Sequence, residues 1–333
     1  MNYRVLASLF VVAFSSGCGD SVNTGGGPAG GGGSGGDGAA GPGPGGGGSG
    51  GGTFTEPRGV CDHDVRVGRF TVEKQTDFGV VQGSVADGVV PTAVPEVVSD
   101  DGSCQLLLRK NLSCTPACVG AETCGEDGEC IPYPRQISVG TVTISGLTKP
   151  AVMEPQVPGN TYFAPDAENP PYVDQSEIIL SAAGSEDADA FKLFGIGSVP
   201  LEQSPTWVLA EGQDLAVTWE AAENSPARIA IELTIDQHGT SPLSLLCEFE
   251  DTGSATVPTA VIDQLITSGV SGFPNGRIIR RTADNVAIES GCVELLVGSP
   301  RLAMVSVAGF TPCNSPDDCP VGQMCNLAIE LCE

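Results

Sequence analysis

The residues able to do chemistry are few. His238 sits in "DQHGT", two positions after Asp236 and close to Ser241 and Ser244. A hydroxyl nucleophile, an imidazole base and a carboxylate that orients it would make an acyl-transfer set. Neighbours in sequence are not a triad, however, and the expected place for His238 is an exposed turn after a strand. His63 in "CDHD" lies between Asp62 and Asp64. Those residues could ligate a metal, but a polar loop beside a disulfide is the expectation. "AAGSEDADAF" brings Glu186, Asp187 and Asp189 close together. They offer oxygen ligands to a calcium ion without the EF-hand spacing, so a plain acidic turn is expected. Calcium is the one cofactor this chemistry suggests, and the chain is expected to need none. Carboxylate pairs such as Glu248 and Glu250 would serve glycoside hydrolysis only at a defined separation across a cleft. There is no nucleophile elbow, no HExxH and no phosphate-cradling P-loop. The expectation is a protein that is not an enzyme.

Thirteen cysteines carry the strongest signal. Cys18 follows an apolar leader. The other twelve form groups that are even within themselves: Cys61 and Cys104; Cys114, Cys118, Cys124 and Cys130; Cys247 and Cys292; Cys313, Cys319, Cys325 and Cys332. In an exported chain this arithmetic reads as disulfides. Structural zinc prefers two close cysteine pairs, and only Cys114 and Cys118 come close to that. Pairing within groups gives Cys61–Cys104 and Cys247–Cys292. Each four-cysteine cluster allows three connectivities. First with third and second with fourth gives Cys114–Cys124, Cys118–Cys130, Cys313–Cys325 and Cys319–Cys332.

Export itself is read from the leader. Arg4 is followed by a run from Val5 to Phe14, apolar except for Ser8. The run is too short to span a bilayer, which takes about 20 residues, but it suits a signal peptide. Small residues Ser15, Ser16 and Gly17 precede Cys18, as in the lipobox of bacterial lipoproteins, although leucine is missing at Ser15. Residues 1–17 are therefore expected to be removed and Cys18 lipidated. Gly19 in the next position favours the outer membrane by the same resemblance. Residues 18–53 are then a tether, almost only Gly, Ser, Ala and Pro from Gly25 to Gly52, with little to bury. A flexible coil of that length reaches roughly 30 Å. The net charge of −26 argues against nucleic acid as a partner. Acidity concentrates between Ala151 and Ala255, where Lys192 and Arg228 are the only cations.

The elements that must position these groups read as strands. "ARIAIELTID" alternates Ile229, Ile231, Leu233 and Ile235 with Arg228, Glu232 and Thr234, a half-buried antiparallel strand. "DLAVTWE", "LSLLCEFE" and "GCVELLV" follow the same rule. "VRVGRFTVE" and "ISVGTVTISGL" change parity at Gly68 and Gly140, which predicts bulges or bends; both are expected in one sheet. "PTAVIDQLITSG" predicts the one helix, with Val261, Ile262, Leu265 and Ile266 on its apolar face and Gly269 as its stop. Trp207 and Trp219 are expected in the core. Arg277, Arg280 and Arg281 are expected on a solvated strand edge, where charge blocks strand addition.

The fold class is therefore all-β: two tandem antiparallel β-sandwich-like domains with small disulfide-rich modules and a disordered tether. A β domain spans 54–147 with a four-cysteine module inserted at 114–130. Residues 148–177 form a linker or loop, 178–310 a second β-sandwich domain, and 311–333 a closing four-cysteine module. This layout resembles myxobacterial-type cysteine-rich surface lipoproteins. The resemblance is carried by the glycine tether, "GSCQLLL", "PYP" and "VGTVTISGL", by "TGSATVPTAVIDQLI" and "GVSGFPN", and by "DCPVGQMC". It implies architecture and a place on the cell envelope, not an activity. The expected function is binding, adhesion or a structural role at the cell surface. The membrane is met through the lipid anchor, and the partner is a polysaccharide or another surface protein. A calcium-assisted carbohydrate-binding protein and a secreted hydrolase are the alternatives.

Overall fold

The computed structural model describes residues 58–239 and 242–333. The expected signal peptide, Cys18 and the tether lie outside the described residues, as does Ser241. The described chain is nearly all-β. It begins with β1 (Arg66–Lys74), β2 (Gly79–Ala86), β3 (Glu96–Asp100), β4 (Cys104–Leu108), β5 (Glu122–Cys124), β6 (Cys130–Pro132) and β7 (Gln136–Ile137). There follow β8 (Val142–Ser145), β9 (Ala151–Met153), β10 (Tyr162–Phe163), β11 (Glu177–Ala182), β12 (Phe191–Ile196), β13 (Thr206–Leu209), β14 (Leu215–Thr218), β15 (Arg228–Thr234), β16 (Leu243–Glu250) and β17 (Ser254–Val257). After helix α1 (Thr259–Ser268) come β18 (Asn275–Ile288), β19 (Gly291–Val307), β20 (Cys325–Asn326) and β21 (Leu331–Cys332).

One large sheet organises the molecule, in the order β10-β2-β1-β19-β18-β15-β16-β4-β3, with β13 beside β19 and β7 beside β2. Its pairs are antiparallel except β1–β19 and β13–β19, which are parallel. Two hydrophobic cores lie along it. In the first, β1, β2 and the start of β19 pack against the four-stranded sheet β12-β11-β8-β9. In the second, β4, β15 and β16 are covered by α1 and the β14–β17 pair. Both cores sit on one face of the large sheet. Ile229, Ile231 and Leu233 of β15 and Leu243, Leu245 and Cys247 of β16 enter the second core, while Val293, Leu295 and Val297 of β19 enter the first.

The two units are not successive stretches of chain. β4, expected in the first domain, pairs with β16, and its Cys104 and Leu106 are buried in the second core. β11 and β12, expected in the second domain, complete the first core. The expected strand mates "RVGRFTV" and "VGTVTI" fall in opposite layers of that core rather than in one sheet. The segment 148–177 is no linker. It contributes β9 and β10, and it buries Tyr162 and Tyr172. The Tyr162 hydroxyl accepts from Val139 N and donates to Gly140 O; that of Tyr172 donates to Gly298 O at 2.8 Å. Burial pushes the Tyr172 phenol pKa up.

This interleaving corrects two disulfides. Cys61 bonds Cys292, and Cys104 bonds Cys247. Cys61–Cys104 and Cys247–Cys292 do not form. Cys104 stands directly opposite Cys247 across the β4–β16 ladder, and the β1–β19 pairing brings the chain before β1 to Cys292. The cluster pairs Cys114–Cys124, Cys118–Cys130, Cys313–Cys325 and Cys319–Cys332 are as expected.

Local expectations hold where they rest on short-range chemistry. The helix buries Val261, Ile262, Leu265 and Ile266, and Gly269 ends it with φ +137°. Gly68 marks a register shift between Arg66 and Gly68. A Cβ at Gly68 would lie 2.8 Å from the Val85 side chain and 2.9 Å from Ser84 O, so only glycine fits. Among the described residues, no helix is long and apolar enough to cross a membrane.

Candidate functional site

The bulge at Gly68 has a chemical consequence. In a regular strand Arg66 and Arg69, three apart, would point to opposite faces. The extra residue flips the parity. Val67, Phe70 and Val72 all enter the first core, and Arg66 and Arg69 both turn to the other face of the sheet. There they meet Glu294 of β19, which is fully buried. Arg69 Nε donates to Glu294 Oε1 at 2.6 Å, Arg66 Nη1 lies 3.6 Å from it, and Cys61 N donates to Oε2 at 2.8 Å. The Cys61–Cys292 bridge pins the segment before β1 over this carboxylate.

The same face continues across the central strands. Arg228 of β15 stands opposite Arg281 of β18 in the ladder. Two like charges so placed repel, and Glu248 of β16 lies between them, 2.9 Å from Arg228 Nε and 3.0 Å from Arg281 Nη2. Arg277 pairs one to one with Glu232 at 2.7 Å. The expected solvated edge is therefore wrong. β18 is a central strand, and Arg280 and Arg281 are buried in ion pairs. Arg280 alternates to the core side, where its Nε lies 2.7 Å from Asp251 Oδ2.

Around these groups opens a cleft of about 890 Å³, on the sheet face away from both cores. A ligand site of ordinary size is about 300–1,000 Å³. Its floor is Glu232 and Thr234 of β15, Ser244 and Glu248 of β16, and Arg281; its walls are 60–69 on one side and β3 with Gly102–Leu107 on the other. The first cysteine module forms a lip, because its Glu126 pairs with Lys110 at 2.5 Å and both line the cleft. His63 also faces the cleft, with its Nδ1 buried and without a hydrogen-bond partner. Burial, and after it the charge of Arg66, hold the His63 imidazole below its ordinary pKa, against the opposing pull of Glu294 and Asp62. Arg66 is lowered in the same sense by burial and then by Arg69.

The other expected site residues are not gathered. Asp236 accepts the Ser271 hydroxyl and Gly239 N rather than orienting His238, whose Nε2 instead lies 3.2 Å from Glu330. Ser244 bonds Thr234. His238 thus docks the closing cysteine module, together with Gly272 N donating to Ile329 O at 2.7 Å. Among the described residues, Glu186, Asp187 and Asp189 bring no three ligand atoms within 4.8 Å, and the clusters that do are disulfide cysteines. The acidic loop is a turn closed by Ser185, which accepts Asp187 N and donates to Ser138 O. Trp207 is buried, and Trp219 is half-buried with its Nε1 donating to Asp251 at 2.7 Å. Both line a second hollow of about 480 Å³.

Sequence reasoning missed the cleft because its parts are separated by more than two hundred residues. One signal was present: a parity change placed between two arginines. Comparison with protein-family models and with curated proteins finds no match to this chain.

Proposed function

We propose that this chain is a lipid-anchored protein of the bacterial cell surface that binds its ligand without transforming it, and that the cleft on the outer face of the large sheet is where it binds. The anchor is Cys18 after a short apolar leader, the glycine-rich spacer holds the β body away from the outer membrane, and the resemblance to surface lipoproteins supports that address. The observation that carries the reading is the cleft itself. It is large enough for a small ligand, it is walled by strands stapled through Cys61–Cys292 and Cys104–Cys247, and it is lined by arginines and carboxylates. A preorganised site loses less ordering entropy on binding.

The partner is a polysaccharide or another surface molecule of the envelope. A second reading places a sugar against Trp219 in the smaller hollow, where Asp251 fixes the indole as a stacking wall. Ser103 separates the two readings. It is exposed and lines the cleft, and its hydrogen bonds run through its backbone: its N donates to Asp101 Oδ1 and its carbonyl accepts from Glu248 N. Ser103→Trp fills the cleft without breaking an ion pair. We expect the purified full chain to retain envelope polysaccharide, and the variant to retain it at least about tenfold more weakly. Equal retention by the variant moves the site elsewhere.

A further inference from the structure

We propose that the cleft holds an anion site where the 60–69 wall meets the floor, and that the ligand is seated there through an isolated carboxylate or phosphate group on Arg66 and Arg281. This rests on the cleft being the binding site. The first argument is charge balance. Glu294 is shared by Arg66 and Arg69, and Glu248 by Arg228 and Arg281, so each carboxylate faces two guanidinium groups. Four guanidinium groups on two carboxylates leave this cluster locally cationic in a protein whose net charge is −26.

The second argument is unused donors. A guanidinium presents five N–H groups in a planar fork. Arg281 is 7% exposed, yet it donates one hydrogen bond, from Nη2 to Glu248, and its Nε has no partner. Arg66 is held only by the 3.6 Å ion pair to Glu294. Buried donors left unmatched cost free energy, more so on a charged group. An oxyanion that accepts from both forks supplies what the protein does not. Arginine is the side chain whose fork matches the two oxygens of a carboxylate or phosphate.

The third argument limits the ligand. A polyanion would be repelled by the acidic field of the whole chain, and by exposed Asp62, Asp64 and Glu96 at the rim. The site therefore suits one anionic group on an otherwise neutral molecule, such as a uronic acid or a sugar phosphate.

The test uses the full chain, with galacturonate, inorganic phosphate and neutral galactose as probes in melting and calorimetric titrations. At about a hundredfold excess over Kd, a binding anion should raise Tm by about 5 °C, and galactose should leave it unchanged. Galacturonate alone would identify a carboxylate ligand, phosphate alone a phosphorylated one, and either supports the proposal. Arg66→Gln and Arg281→Met should each weaken the anion by about tenfold or more. Arg66→Gln keeps the Arg69–Glu294 pair, so it remains informative if Arg281→Met fails to fold. Anion binding unaffected by Arg66→Gln would overturn the proposal. So would the absence of any anion effect while envelope polysaccharide is still retained and still lost in Ser103→Trp; that result leaves the cleft as a binding site for a neutral ligand. If neither the anions nor the polysaccharide are held, the cleft reading fails, and the anion site with it.

Discussion

Asp251→Ala should destabilise the folded chain by about 3–5 kcal/mol, the cost of leaving a buried charge without its counterion. Arg280 and Asp251 have side chains 2% and 3% exposed, with Arg280 Nε 2.7 Å from Oδ2 and Nη2 donating to Oδ1 at 3.1 Å. Asp251 also accepts from Trp219 Nε1 and Ala222 N. After the substitution, the Arg280 guanidinium keeps only the carbonyls of Val199, Pro200 and Glu220. Those satisfy donors but not charge. Urea unfolding followed by tryptophan fluorescence reads the loss. Adding Arg280→Met should recover part of it, because the stranded cation is then gone. A loss below about 1 kcal/mol, the range of exposed pairs, would mean that this pair is solvated.

The second large effect comes from the bridges. Cys61–Cys292 spans 231 residues and Cys104–Cys247 spans 143. While Cys104–Cys247 is intact, the chain between Cys61 and Cys292 is already shortened in the unfolded state to a loop of roughly ninety residues. In the chain-entropy account, closing such a loop is worth about 4–5 kcal/mol. Replacing Cys61 and Cys292 together by alanine should cost about that much. It also frees the segment before β1 from above Glu294, which distinguishes this bridge from those of the two cysteine modules. A non-reducing peptide map should recover Cys61 with Cys292 and Cys104 with Cys247. Recovery of Cys61 with Cys104 would contradict the interleaved topology.

Short-range physics was legible in the sequence. Alternation placed β14, β15 and β16 and their buried faces, and the 3.6-residue period placed α1. Even cysteine counts within twenty residues placed both modules, and the pairing found in each is one of the three connectivities those counts allow. Each of those signals is local, so neighbours in sequence are neighbours in space. The remainder depends on β18 and β19, which are 14 and 17 residues long and run beside both cores. Their register is set by partners far along the chain: β1 on one side and β15 on the other. Pairing cysteines by nearness therefore failed for Cys61, Cys104, Cys247 and Cys292. The arginines of β18 misled for a related reason. Charge in a strand is usual at an edge, but the carboxylates that neutralise these cations stand on β15 and β16, or just beyond, and no local pattern announces them. Residues 148–177 lack any period because Tyr162 and Tyr172 anchor them singly. Of the site, the parity change at Gly68 was visible, but Glu294 as the group it serves was not.

The cleft as binding surface is tested most directly by hydrogen exchange on the full chain, with and without envelope polysaccharide. Protection should fall on the strands whose side chains or edges form the cleft: 60–69, 96–107, 232–234 and 244–248. The second hollow, around 201–207 and 216–220, should be unchanged. Protection confined to that hollow or to the two cysteine modules, with the cleft strands unaltered, would contradict the account.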